Sequence, residues 1–222
     1  DEVLGVGGTL ACMTEHGAEA RVCILVADAD ARTRRPRSQE LLNDILRASE
    51  VLGLREPILG DFPNIRLNTV PHLDLVQFIE QAISDVGSTC IFTHHPRDLN
   101  DDHRYVSGAC QAAARLFQRR PDVPRLRALH YMEVLSSTEW SSPSAGPAFD
   151  PNCFFEIGEE GLDRKLRALG VYREVMRDFP HPRSCEALSG LAAFRGAQAG
   201  LRYAEAFETS FQTMDVAGFG GR

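Results

Sequence analysis

The sequence predicts an α/β fold: a mostly parallel sheet with helices on both faces. Three observations carry this. Short apolar runs of strand length alternate with longer stretches of helical periodicity. Polar segments rich in Asp, Pro, Ser and Gly separate them. The chain has 222 residues, 43% of them hydrophobic, which suffices for one domain with a sizeable core.

The elements follow in order. Leu4–His16 is apolar and rich in small residues, and suits a helix packed closely on a neighbour. Ala20–Ala27 reads as a buried strand. Asp28–Arg37 gathers two Asp and four Arg around Pro36 and reads as a loop. Ser38–Leu54 has Leu41, Leu42, Ile45, Leu46, Ala48 and Val51 on one side of a helix. Pro57–Leu59 is a short strand, Asp61–Asn68 a loop and Leu73–Val86 an amphipathic helix. Thr89–Thr93 is a buried strand that runs into the polar loop His94–Asp102 and then the helix His103–Phe117. Arg127–Val134 is another strand. Ser136–Asn152 is Ser/Pro-rich, Phe154–Ile157 a short strand, and Leu162–Met176 and Cys185–Gly200 are helices. In such sheets ligands sit beyond the carboxyl ends of the strands, which puts chemistry in the loop after Thr93. No linker divides the chain, so residues 1–222 read as one domain.

Composition narrows the function. The net charge is −7, so the chain repels nucleic acid and anionic membrane, and neither is expected as a partner. Its apolar runs are too short to span a bilayer. Lys165 is the only lysine among 24 basic side chains, which fits codon bias or a demand for bidentate anion contacts. None of the six cysteines forms a CxxC pair. Cys23, Cys90 and Cys110 read as small buried core residues, and the compartment as reducing, hence cytoplasmic.

The densest polar cluster is Thr93–Arg104 (THHPRDLNDDHR), with three His and three Asp between an apolar strand and a helix. His and Asp ligate zinc, and a neighbouring carboxylate can orient an imidazole. A solvated loop with Asp101 and Asp102 as helix caps is the plainer alternative. At the other end of the chain, Gly5-Val6-Gly7-Gly8 is not the G-x-G-x-x-G dinucleotide fingerprint. Close packing of the first helix explains those glycines better.

Asp1–Ala11 (DEVLGVGGTLA) resembles the tail of the motif HPDDE-x-LG-x-GGT-x-A, and His95–Arg104 (HPRDLNDDHR) resembles H-P-x-D-x-N-x-D-H. Both motifs belong to the LmbE-like, or PIG-L, family of zinc-dependent N-acetylglucosaminyl deacetylases. LGDFPNIRLNT resembles a looser third segment, and HPRSCEAL with RGAQAGLRYAEAF resembles the family's ending. The resemblance implies a Rossmann-like domain that removes the N-acetyl group from an amino-sugar conjugate with metal-activated water. It implies zinc, with another divalent metal as the alternative, held by Asp1 and His103. The motif's first His and first Asp, a third ligand and the general base, would precede Asp1.

His95 is the expected oxyanion donor and acid for the leaving amine, Asp102 an orienting carboxylate, and His94 structural. Asp98 and Asn100 shape the loop. Arg66 and Tyr131 are the expected substrate contacts, with Glu133 near them. Trp140 could stack on a sugar or anchor its segment, and His181 suits packing or the rim. The arginine-rich run Arg32–Arg37 reads as a solvated loop, with attraction of an anionic aglycone as the alternative. Oligomeric state is open, and a homo-oligomer is compatible. Two other readings stand beside the deacetylase: an inactive Rossmann-like sugar- or nucleotide-binding relative, and a nucleotide-dependent oxidoreductase resting on the glycine-rich start.

Overall fold

The first helix, α1 (Glu2–Glu15), has an unbroken buried run from Val3 to Ala11, so it is covered on nearly all sides. The computed structural model describes residues 1–27, 38–142, 146 and 148–215. The glycines of α1 serve close approach. A Cβ on Gly8 would lie 2.8 Å from Ile157 Cδ1, and one on Gly5 would run into the Met132 sulfur. The packing reading of these glycines therefore holds.

The remaining elements are β1 (Cys23–Ile24), α2 (Ser38–Leu52), β2 (Ile58–Leu59), α3 (His72–Val86), β3 (Cys90–His94) and α4 (Asp101–Ala113), followed by β4 (Ala128–Met132), β5 (Cys153–Glu156), α5 (Gly158–Val171), α6 (Cys185–Ala199) and β6 (Ala204–Gln212). Local chemistry sets several boundaries. Gly87 and Gly200 end α3 and α6 in the left-handed region, and the Ser184 hydroxyl accepts from Ala187 N to start α6.

β1 pairs with β2 in parallel, and a separate four-stranded sheet has the order β3-β4-β6-β5. β3 and β4 are parallel, whereas β6 runs antiparallel to both β4 and β5. The α/β class is as expected, but the sheet is mixed, because a C-terminal strand absent from the sequence reading inserts between β4 and β5. The strand expected over Ala20–Ala27 is reduced to two paired residues. Its pairing among the described residues is with β2, plus a bridge from Val26 to Asp61, and Cys23 faces outward rather than into the core. α4 starts two residues before the expected His103, because the Asn100 side chain accepts from Asp102 N and caps the helix. α5 spans Gly158–Val171 rather than Leu162–Met176.

Side-chain alternation along β3 divides the core. Ile91 faces α3 and α4, packing beside Leu75, Ile79, Ala109 and Cys110. Phe92 faces the opposite way, into a core of Val3, Leu4, Val6, Leu52, Met132, Leu169 and Phe207 built on α1, α2 and α5. Helices thus cover both faces of the sheet, and two cores meet along it. No helix among the described residues is long and apolar enough to cross a membrane.

Candidate metal centre

β3 delivers two consecutive histidines to its carboxyl end, and a tight loop returns the chain to α4. The loop satisfies its own backbone. Asp98 N donates to His95 O, Asn100 N to the Asp98 carboxylate, and Arg104 to the carbonyls of Asp98 and Leu99. This places His103 in the first turn of α4, facing Asp1 at the start of α1.

The His103 Nε2 atom lies 2.9 Å from Asp1 Oδ2. The His94 ring stacks on His103 at 4.0 Å, with 19° between the planes. One donor atom from each of Asp1, His94 and His103 lies within 4.8 Å of the others, as a shared cation requires. Both His94 ring nitrogens are buried without a hydrogen-bond partner. Burial and the adjacent His103 hold His94 well below the ordinary histidine range, so it is neutral, the form that ligates metal.

Behind His103, its Nδ1 stands 3.0 Å from Asp98 Oδ1, at ion-pair distance though without hydrogen-bond alignment. Asp98 is 1% exposed. It accepts from the Ser137 hydroxyl and, at 2.7 Å, from the Thr138 hydroxyl. Burial alone would raise its pKa, but His103 and the two hydroxyls outweigh this and hold the carboxyl below the usual range. A neutral His103 can present a proton to only one of its two carboxylate neighbours, and a proton at Nδ1 toward Asp98 leaves the Nε2 lone pair facing Asp1. A cation between Nε2 and Asp1 resolves that contact. The unpartnered His94 nitrogens, the backed His103 and the Asp1 carboxylate form a donor set that suits zinc. The residues present therefore fit a divalent metal.

The structure brings together the two expected ligands, Asp1 and His103, and adds His94. Parity along β3 could have found His94, since it shares the α1 side with Phe92. Asp98, with Ser137 and Thr138, occupies the orienting position expected of Asp102. The Asp102 carboxylate turns the other way and accepts from Ile65 N at 2.6 Å and Leu67 N at 3.1 Å. Arg66 lies exposed between those two amides.

His95 is 0% exposed. Its Nδ1 accepts from Arg97 N at 3.3 Å, so Nε2 carries the hydrogen toward Glu208, 3.1 Å away. Burial lowers its pKa against the pull of Glu208. Tyr131 packs edge-on to His95 with its hydroxyl bonded to Gln111, and the structure does not bring it to the opening. Glu133 is held by Arg195 through two bonds of 2.7 and 2.8 Å. Trp140 is 67% exposed, which removes the buried-anchor alternative. His181 is exposed and accepts from Arg183 N. The Arg32–Arg37 run lies outside the described residues.

The family model for PIG-L, GlcNAc-PI de-N-acetylase, matches residues 1–114. No curated protein matches the chain. Solved structures similar over 94–97% of the chain include the following three. A conserved protein from Thermus thermophilus has a TM-score of 0.78 at 23% identity over 92% of its own length. The N,N'-diacetylchitobiose deacetylase from Pyrococcus horikoshii has a TM-score of 0.73 at 17% identity over 79% of its length. The 4-carboxy-2-hydroxymuconate hydratase from Pseudomonas putida has a TM-score of 0.76 at 18% identity over 93% of its length. At these identities the likeness establishes the fold, and this fold hosts more than one chemistry.

Proposed function

Because the chain belongs to the PIG-L family of GlcNAc-PI de-N-acetylases, we propose that it is a metal-dependent hydrolase that removes the N-acetyl group from an N-acetylglucosamine-type sugar conjugate. The observation that carries the reading is the convergence of Asp1, His94 and His103 on one point beyond the carboxyl end of β3. Zinc is the metal proposed, and an amino-sugar conjugate the substrate.

Asp1, His94 and His103 would hold the cation. Bound there, it supplies Lewis acidity, polarising an amide carbonyl and acidifying water. Asp98 fixes the His103 ring so that Nε2 faces the metal, and Ser137 and Thr138 fix Asp98. His95 enters as a neutral hydrogen-bond donor to the developing oxyanion: its Nε2 bears the hydrogen that Glu208 now holds, and to protonate the leaving amine it must first take up a proton at Nδ1, which here accepts from Arg97 N. Arg66, exposed beside the site, is the proposed contact to a hydroxyl or anionic group of the substrate. Tyr131 supports His95 from beneath.

The test uses the full-length protein. Metal content after purification and acetate release from N-acetylglucosamine derivatives are measured for the wild type, His103→Ala and His95→Gln. His103→Ala is expected to lose metal and turnover while keeping its circular dichroism spectrum. His95→Gln is expected to keep metal and turn over more slowly. Undiminished acetate release by His103→Ala would sink the proposal.

A further inference from the structure

The Asp102 carboxylate reaches a segment 35 to 37 residues away in sequence, not its neighbour His103. Its two oxygens each take one backbone amide, Ile65 N–H at 2.6 Å and Leu67 N–H at 3.1 Å. Asp102 itself is buried at the start of α4. The segment is anchored on either side of this clamp. Upstream, Phe62 packs edge-on to Phe78 of α3 at 5.4 Å. Downstream, Leu67 is fully buried in the core between α3 and α4.

Between those anchors the backbone is strained. Ile65 has φ 52°, in the left-handed region that a β-branched residue avoids. Its side chain is also 49% exposed, so burial does not offset the strain. The charge-assisted bonds from Asp102 are what hold it, and such overdetermined strain clusters at functional sites. The result is a turn with Arg66 at its centre, one residue from each clamped amide. Arg66 has no side-chain partner among the described residues, and its carbonyl accepts from Thr69 N and the Thr69 hydroxyl.

We propose that Asp102 is a positioning residue for the substrate side of the site: it clamps the Ile65–Leu67 turn in its strained form and so sets where Arg66 stands relative to the ligand His103 beside it. Asp98 serves the metal and Asp102 serves the substrate. Two carboxylates, one in the loop and one in the first turn of α4, thus divide the work, and the single step from Asp102 to His103 ties the recognition turn to the proposed metal ligand. The inference rests on the proposed function in treating Arg66 as a substrate contact. The clamp itself does not.

The experiment compares wild type, Asp102→Asn and Asp102→Asn with Ile65→Gly, all as full-length protein. Backbone hydrogen exchange of Ile65 and Leu67 is read directly, alongside metal content and acetate-release kinetics. Asparagine keeps one acceptor and turns an N–H donor on the other amide. Exchange at one or both positions is expected to rise on the order of tenfold or more, the equivalent of one charged hydrogen bond. KM should rise by about tenfold with kcat within about threefold and metal content unchanged. Adding Ile65→Gly should bring KM back toward wild type, because glycine occupies the left-handed region without strain. A merely structural Asp102 would not be rescued in this way.

Unchanged exchange at both amides in folded Asp102→Asn would overturn the clamp. So would loss of metal with KM unchanged, or a double variant no better than Asp102→Asn alone. If the wild type releases no acetate, the deacetylase reading fails while the exchange measurement still decides the clamp. Should Asp102→Asn not fold, Ile65→Gly in the wild-type background takes its place. Relief of strain predicts an unchanged or higher Tm, and a fall of more than about 4 °C would overturn the inference.

Discussion

Replacing Lys165 by Met tests a buried ion pair outside the candidate metal centre. The Lys165 Nζ atom lies 2.6 Å from Glu205 Oε1, with both side chains no more than 7% exposed. The same carboxylate accepts from Gly8 N at 3.0 Å and Thr9 N at 2.7 Å, so it joins α1, α5 and β6. Removing the cation strands an anion that water cannot reach. Breaking a buried pair from one side costs about 3–5 kcal/mol. The two amides serve Glu205 before and after the change, so they do not reduce the difference, although they keep the carboxylate partly solvated and favour the lower end. A loss near 3 kcal/mol is a large fraction of a typical domain stability of about 5–15 kcal/mol. Urea unfolding followed by circular dichroism measures it. A second variant, Lys165→Met with Glu205→Met, removes both charges and should be more stable than Lys165→Met alone. A loss below about 1 kcal/mol in the single variant, or a double variant less stable than the single, would refute the reasoning.

Two further outcomes are expected. Gly8→Ala puts a methyl 2.8 Å from Ile157 Cδ1 and 3.3 Å from the Glu205 carboxyl carbon. It should lower stability by about 1–3 kcal/mol through overpacking, read as a fall in Tm. Asp98 gives the pH dependence. Its folded pKa is depressed, so its contribution is fully present above the unfolded aspartate value near 4 and is lost as pH falls through the lower folded value. Metal-free wild type should therefore lose stability on acidification below about pH 5 more steeply than Asp98→Asn, and equal slopes would contradict the assignment.

Much of the site was legible because its polar residues interrupt apolar elements. Thr93–Arg104 stands out between a strand and a helix, and residues from both of its ends, His94 and His103, meet Asp1. The glycines of α1 were read as packing residues, and their contacts with Met132 and Ile157 bear this out. What stayed hidden depends on orientation and long-range pairing. His94 and His95 are chemically identical neighbours, and the pleat sends one toward Asp1 and His103 and the other to Glu208. Asp98 and Asp102 exchange their expected roles because the Asn100 cap sets where α4 begins. Asp98 stays in the loop behind His103, and Asp102 falls in the first turn, facing Ile65 and Leu67. β6 was missed because its Ala- and Glu-rich start resembles helix and because its pairing with β4 and β5 is antiparallel and non-local. Glu205 and Glu208 went with it.

The two cores described above lie on opposite faces of β3, whose carboxyl end stands at the candidate metal site. Asp1 belongs to the helix rooted in one core, His103 to the helix rooted in the other, and His94 to the strand between them. An ion held by all three would tie together elements rooted in both cores. Metal binding would then do more than equip the protein for chemistry: it would stabilise the fold by about 4 kcal/mol when free metal exceeds the dissociation constant a thousandfold. Metal supply and resistance to unfolding would become one variable.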